Sequence, residues 1–286
     1  MTTDFCPGYP APYDELVADY PDVSVYPADG FRVEWGPIFH RGRLDGSASV
    51  LVLGQDPAVL ETVARRILVG TAGQRTQGLL TKLGLTRSYT MVNTYLYSVW
   101  GQGAADRHVN DPLIAAYRER WLTALIAHND IRAVLTLGTL AATAFTAWRA
   151  TADGAAFTGQ HAALIHPTYP ESASASGQIT KAEATKRLLE NWNAAIPAVS
   201  AAIPTPDQPP TGVPYGDDFT AADLTPIPAG DLPAGLPAWM RGARSWAVRT
   251  GADPDTKRAT ITVTVPPDAR PWMCGLPIST IQRPRQ

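Results

Sequence analysis

Two cysteines among 286 residues, Cys6 and Cys274, are too few for a Cys-rich zinc site, a thiolate-held iron–sulfur cluster or a disulfide framework. Long hydrophobic runs are missing as well. No stretch approaches the ~20 apolar residues that a membrane-spanning helix needs, which excludes a transmembrane role. Charge is scarce, with 17% charged against 45% hydrophobic residues, the balance of a globular chain with a sizeable core. Met1–Tyr20 carries Asp4, Asp14, Glu15 and Asp19 but no basic cluster and no apolar stretch. It is neither a secretory signal nor an Arg-rich transit peptide, and a cytoplasmic protein is expected. The histidines His40, His108, His128 and His161 are scattered without metal-ligand spacing. No metal or other cofactor is expected, and any catalysis must rest on other side chains.

The chain divides by composition into three parts: 1–48, an irregular or helical N-terminal segment; 49–202, an α/β body; and 203–286, a proline-rich extension. Within the body, four short β-branched runs read as buried parallel strands: Ser49–Leu53, Tyr89–Asn93, Ala133–Leu137 and Ala162–Ile165. Helical spacing appears between and after them, at Leu60–Ile67, Gly78–Leu83, Pro112–His128, Leu140–Trp148 and Lys181–Ile196. Strands alternating with helices predict a three-layer αβα fold around a central four-stranded parallel sheet. In the extension, nine prolines between Pro204 and Pro237 forbid continuous helix or central strand and read as a linker or extended wrap. Beyond them Thr260–Val265 alternates like a half-buried strand, with Trp239, Trp246 and Trp272 as possible anchors.

Net charge is only −2, yet the ends differ in sign. Met1–Ala48 holds eight acids and three arginines. Trp239–Gln286 holds Arg241, Arg244, Arg249, Lys257, Arg258, Arg270, Arg283 and Arg285 against three aspartates. A basic C-terminal end of this kind either meets phosphate or is a solvated surface.

Ligands of such sheets bind beyond the carboxyl ends of the strands. The first strand ends there in Gly54-Gln55-Asp56-Pro57, a turn presenting a carboxylate. The second ends in Asn93, whose amide both donates and accepts. The last is followed by His166-Pro167-Thr168-Tyr169-Pro170, an imidazole on a proline-stiffened turn. Taken singly, Asp56 could be a helix cap, Asn93 a turn and His166 a structural histidine. Together they place three complementary polar groups where the fold rule puts a pocket.

These motifs resemble, in order from about Ser49 to about Ile196, those of the uracil-DNA glycosylase superfamily. Gly54-Gln55-Asp56-Pro57 is similar to the water-activating motif of the main uracil-excising branch. Val69-Gly70-Thr71-Ala72-Gly73-Gln74, Leu79-Leu80 and Gly84-Leu85 resemble the segment that follows it in the iron–sulfur branch. Tyr89–Asn93 is similar to the strand ending in the base-reading asparagine, and His166-Pro167 to the catalytic histidine motif. The resemblance implies a monofunctional DNA glycosylase that extrudes a pyrimidine nucleotide and hydrolyses its N-glycosidic bond. Asp56 would orient water and stabilise the sugar cation, His166 the departing base, and Asn93 would identify that base. Gly54, Gln55, Pro57, Ala58 and Leu68 would line the pocket.

Departures from the pattern carry information. Ala58 stands where the main branch has a tyrosine that closes the pocket against a C5 substituent. The base is therefore uracil or a C5-modified pyrimidine, such as hydroxymethylated or glucosylated cytosine of viral DNA, with a role in repair or in defence. Leu68 stands at the stacking aromatic, and Tyr97 where the iron–sulfur branch has a cysteine, so no metal cluster is expected. No lysine lies near the motifs to support a lyase step. For DNA contacts we single out Gln74, Arg75, Thr168, Tyr169, Ser172, Ser174 and Lys181, with Tyr169 as the substitute for a missing leucine wedge. DNA is the expected partner and the monomer the expected state. Two rival readings are a non-catalytic DNA- or base-binding module and a hydrolase of free nucleosides or nucleotides.

Overall fold

A computed structural model of the chain describes residues 5–242 and 245–269. Its strands are β1 (Phe31–Arg32), β2 (His40–Gly42), β3 (Val50–Gly54), β4 (Tyr89–Asn93), β5 (Ser98–Val99), β6 (Ala133–Leu137), β7 (Gln160–Leu164), β8 (Ala247–Arg249) and β9 (Ile261–Val263). The helices are α1 (Tyr13–Ala18), α2 (Val59–Ala64), α3 (Thr71–Lys82), α4 (Gln102–His108), α5 (Pro112–Ala127), α6 (Thr139–Arg149), α7 (Ala152–Ala155), α8 (Tyr169–Ala175), α9 (Lys181–Ala202) and α10 (Pro254–Ala259). The central sheet runs β2-β4-β3-β6-β7. Its pairs β3·β4, β3·β6 and β6·β7 are parallel.

Strand alternation sorts the core into two layers. Leu51, Leu53, Val92 and Val134 face a cluster with Ile114, Trp121 and Leu125 of α5 and Phe145 and Trp148 of α6. Val50, Val52, Met91 and Leu135 face Leu79 and Leu80 of α3 and Leu188, Leu189 and Trp192 of α9. These strands are covered on both sides, which is why they read as continuous apolar runs rather than as alternation.

The sheet differs from expectation at its edge. It is a five-stranded mixed sheet, because β2 pairs antiparallel with β4. His40-Arg41-Gly42 carries no apolar run, so its sequence gives no strand signal. Its burial is made tolerable by an ion pair, Arg41 Nη1 to Asp231 Oδ2 at 3.1 Å, with both side chains wholly enclosed. Tyr89 Oη and Gln77 Oε1 complete the network, Tyr89 donating to Asp231 Oδ2 at 2.7 Å and Gln77 accepting from Arg41 at 3.0 Å. Phe31–Arg32 and His40–Gly42 thus pair with β5 and β4 and take part in the fold.

Asp231 belongs to the extension, whose prolines lie as an extended wrap along α3 and α9. Asp207 accepts from the backbone N–H groups of Thr86, Arg87 and Ser88. Asn193 exchanges hydrogen bonds with the Tyr215 backbone, and Lys82 pairs with Asp223 at 3.0 Å. Beyond the wrap, Trp246 joins Leu60 and Ala64 of α2 in a third cluster. The alternating run around Thr260–Val265 forms β9, which pairs antiparallel with β8. Trp272, Cys274, Arg270, Arg283 and Arg285 lie outside the described residues.

Candidate active site

The carboxyl ends of β3, β4, β6 and β7 meet at one edge, and two glycines let them crowd there. Gly54 is paired with Asn93 across β3·β4. A Cβ on Gly54 would overlap Asn93 Oδ1 and touch Leu68 Cδ1 at 3.8 Å. Gly138, just past β6 at φ +90°, leaves room for Gln55 Nε2, 2.5 Å from where its Cβ would stand, and for His166 Cβ at 3.2 Å. Gly54, Gln55, Asn93, Leu68 and His166 therefore lie side by side at this edge.

The Asp56 turn is clamped from the segment after β4. Thr94 donates both its backbone N–H and its hydroxyl to Gly54 O, each at 2.9 Å. Tyr95 N–H donates to Gln55 O at 3.0 Å, and Ser98 Oγ to Pro57 O. Val99 N–H donates to the Asp56 carboxylate, Oδ2, at 3.0 Å. One carboxylate oxygen is thereby held by protein. Surrounding protein deprives the carboxyl of water and raises its pKa to about 7, with the Glu61 carboxylate pushing the same way. The Val99 N–H and the Arg32 guanidinium pull in the opposite direction.

His166 is fixed by its own turn. Thr168 N–H donates to Nδ1 at 3.2 Å, and Thr168 Oγ1 lies 2.9 Å from the same atom. An amide can only donate, so Nδ1 is the acceptor and the neutral ring carries its proton on Nε2. Burial lowers the pKa of the imidazole to about 4 and keeps the ring neutral at physiological pH. Asn93 is buried, and its Oδ1 has no hydrogen-bond partner among the described residues. A buried acceptor without a partner costs stability, and this one lies against Gly54 at the end of its strand, where a ligand donor would satisfy it.

Two residues that sequence reasoning missed hold this geometry. Glu61 is buried in the first turn of α2 and accepts from Ala58 N–H at 3.0 Å and from Val69 N–H at 3.1 Å. It ties the loop after Asp56 to the loop after Leu68. Leu68 itself adopts φ +52°, a left-handed conformation costing a leucine about 1 kcal/mol, which this bond overrides. An acid three residues after Ala58 was the available signal, but Ala58 has no side chain to complete a capping box. The second is Arg32, on β1, which donates from Nη1 to Val99 O at 3.0 Å. It comes from a segment with no strand signal of its own.

The DNA-contact expectations divide. Gln74 is enclosed and donates to Arg241 O at 3.0 Å, which removes it from any DNA-facing surface. Arg75 is likewise turned inward. It bonds Pro167 O at 2.5 Å, forms a two-pronged pair with Glu171 at 2.9 Å each, and stacks on Phe219. It braces the His166 turn instead of meeting phosphate. Thr168 spends its hydroxyl on His166. The expected loop after His166 is the helix α8, started by Pro170 in its first turn. Tyr169 is half-buried and packs against the α3/α9 core cluster. Ser172 and Ser174 are half-buried to exposed and donate to backbone carbonyls three residues back. Lys181 is exposed, 3.3 Å from Glu171. Pro57 is buried and Ala58 exposed.

Among the described residues no group of three or more His, Cys, Asp or Glu side chains could hold a metal ion, and no helix is long and apolar enough to cross a membrane. No curated protein matches the sequence. Residues 41–194 match the family described as the Uracil DNA glycosylase superfamily, a span that begins in β2, takes in β3, β4, β6 and β7 and ends within α9. More than half of the chain is covered, and the protein belongs to the uracil-DNA glycosylase superfamily.

Proposed function

We propose that the protein is a monofunctional DNA glycosylase that extrudes a pyrimidine nucleotide and hydrolyses its N-glycosidic bond to leave an abasic site. The observation that carries this reading is the meeting of a raised-pKa carboxylate, a neutral Nε2–H imidazole and an unpartnered buried amide oxygen at one sheet edge. Ionised Asp56 accepts a proton from water as the water oxygen bonds to the sugar C1′. The C1′–N1 pair leaves with the base. His166 Nε2–H donates a hydrogen bond to the pyrimidine O2, where that negative charge collects. Asn93 Oδ1 accepts from N3–H of uracil or, with the amide matched to the other edge, from the N4 amine of cytosine.

Exposed Ala58 supports a base with a C5 substituent, hydroxymethylated or glucosylated cytosine included, alongside plain uracil. The first implies defence against modified viral DNA, the second base-excision repair. The test is abasic-site formation by purified protein on single- and double-stranded oligonucleotides containing each base, with Asp56→Ala and His166→Ala as controls. Abasic product that both substitutions abolish is the expected result. Retained DNA binding without abasic product from any of these bases would instead identify a non-catalytic base-binding module.

A further inference from the structure

A basic and aromatic surface adjoins the Asp56 turn and has no part in holding the sheet together. The guanidinium groups of Arg32 and Arg258 lie 3.9 and 4.8 Å from the centroid of the Trp100 ring. Arg249, on β8, donates from Nη1 to Arg258 O at 3.2 Å, and Trp35 donates its indole N–H to the same carbonyl at 2.9 Å. Trp35 remains 37% exposed. Glu34 is the carboxylate the three arginines share, bonding Arg258 Nε at 2.9 Å. Burial and mutual repulsion destabilise the charged forms of Arg32 and Arg249, Arg258 acting on the first and Arg32 on the second.

Three cations against two acids, Glu34 and, beside Arg32, Asp56, leave net positive charge, and the cost of assembling them is recovered when an anion arrives. The patch begins one residue from the chemistry, since Val99 holds Asp56 by its N–H and Arg32 by its carbonyl. Guanidinium forks match phosphate oxygens in pairs, and indole faces accept unstacked bases without regard to sequence. We infer that Arg32, Arg249 and Arg258, with Trp35 and Trp100, form the site that grips the DNA phosphodiester backbone and an unstacked base beside the extruded nucleotide. This rests on the glycosylase reading for its ligand. It also gives the C-terminal hairpin β8–β9 a task, the delivery of two of the three arginines.

The test measures binding without turnover, by fluorescence anisotropy of a labelled oligonucleotide carrying a tetrahydrofuran abasic analogue, across a range of salt. Arg249→Gln should weaken binding several-fold and lower the slope of log affinity against log salt by roughly 0.7–0.9, one phosphate contact. Arg249→Lys should keep most of that slope, and Trp35→Ala should weaken single-stranded binding with the slope intact. Arg120→Gln, on α5 and paired with Asp19, should change nothing. Inorganic phosphate should compete only weakly, because the site needs the polyanion. Wild-type affinity and slope in both Arg249→Gln and Trp35→Ala would overturn the inference. That failure is separable from failure of the glycosylase reading. Excision abolished by Asp56→Ala but indifferent to Arg249 sinks the patch alone, whereas Arg249-dependent binding without excision of any base sinks the chemistry alone.

Discussion

Replacing Asp56 by asparagine should make the protein more stable at alkaline pH while removing its activity. Asparagine keeps the shape of the side chain and an oxygen to accept the Val99 N–H, but it has no charge to bury. In the folded protein the Asp56 pKa is raised from 3.8 to about 7, chiefly because the surrounding protein excludes water from the carboxylate. The unfolded chain gives up this proton near pH 4 and the folded chain only near pH 7, so over that window the folded state binds more protons. Stability therefore falls as pH rises from about 4 to about 7 and levels off above, at about 1.36 kcal/mol per pH unit. The interval from about pH 5 to about pH 7 is then worth about 2.7 kcal/mol, an upper figure because the carboxyl is only partly buried. His166 contributes the opposite slope, losing stability as pH drops through 6.5 toward 4, but it is common to both proteins and cancels in their difference. The assay is urea unfolding of wild type and Asp56→Asn at about pH 5 and about pH 8, with abasic-site formation followed in parallel. The variant's advantage should grow by about 2–3 kcal/mol between the two pH values. An advantage that is the same at both, or a uniform loss, would refute the idea that Asp56 is held against its own solvation.

The same pKa values fix the rate profile. kcat/KM for excision should rise about tenfold per pH unit up to about pH 7 and then level, with no second limb from the histidine between about pH 5 and about pH 8; a fall in activity as pH climbs through 6.5 would mean that a protonated imidazole is required. Arg32→Gln removes a cation that favours ionised Asp56, so the rising limb should move to higher pH, read from the same profile. Gly54→Ala puts a methyl where Asn93 Oδ1 now lies; excision should be lost while the fold survives at a cost of about 1–3 kcal/mol, checked by single-turnover rates beside unfolding midpoints. Asp231→Ala strips the enclosed Arg41 of its acid; a loss of about 3–5 kcal/mol in urea unfolding is expected, and a loss below about 1 kcal/mol would show that the extension does not hold the edge strand.

What the sequence disclosed and what it hid follow from the range of the signals. The strands β3 and β6 announce themselves because both faces of each are covered, so that Val50–Leu53 is apolar throughout and Ala133–Leu137 is interrupted only by the enclosed Thr136, whereas β7 is covered less fully, with Ala163 exposed. The residues that end them, Asp56, Asn93 and His166, stand out because strand ends in a parallel sheet are where polar groups can converge. β2 was invisible because its stability is borrowed from Asp231, 190 residues away, and no local pattern encodes such a pair. Arg75 was misread for a related reason. A charged residue in a helix next to a catalytic motif looks like a phosphate ligand, and only the three-dimensional arrangement shows Glu171 and Pro167 O already claiming it. Glu61 carried a weak local signal, an acid in the first turn of a helix, whose importance depends on the left-handed Leu68 turn that it spans.

That contrast explains how the two halves of the site differ. The groups proposed to react are local to the ends of strands and can be found one motif at a time. The groups that set their properties are partly local and partly distant: Thr168, two residues on, fixes the tautomer of His166 and Glu61, five residues on, adds to the rise in the Asp56 pKa, whereas Val99 and Arg32 oppose that rise from other segments. Arg32 lies on a two-residue strand paired with β5, the segment that also clamps the Asp56 turn. If the proposed glycosylase reading holds, a change in β1 or in the hairpin that packs near it, neither of which lies within the matched span of 41–194, should therefore alter pH dependence and DNA affinity without altering which bond is broken.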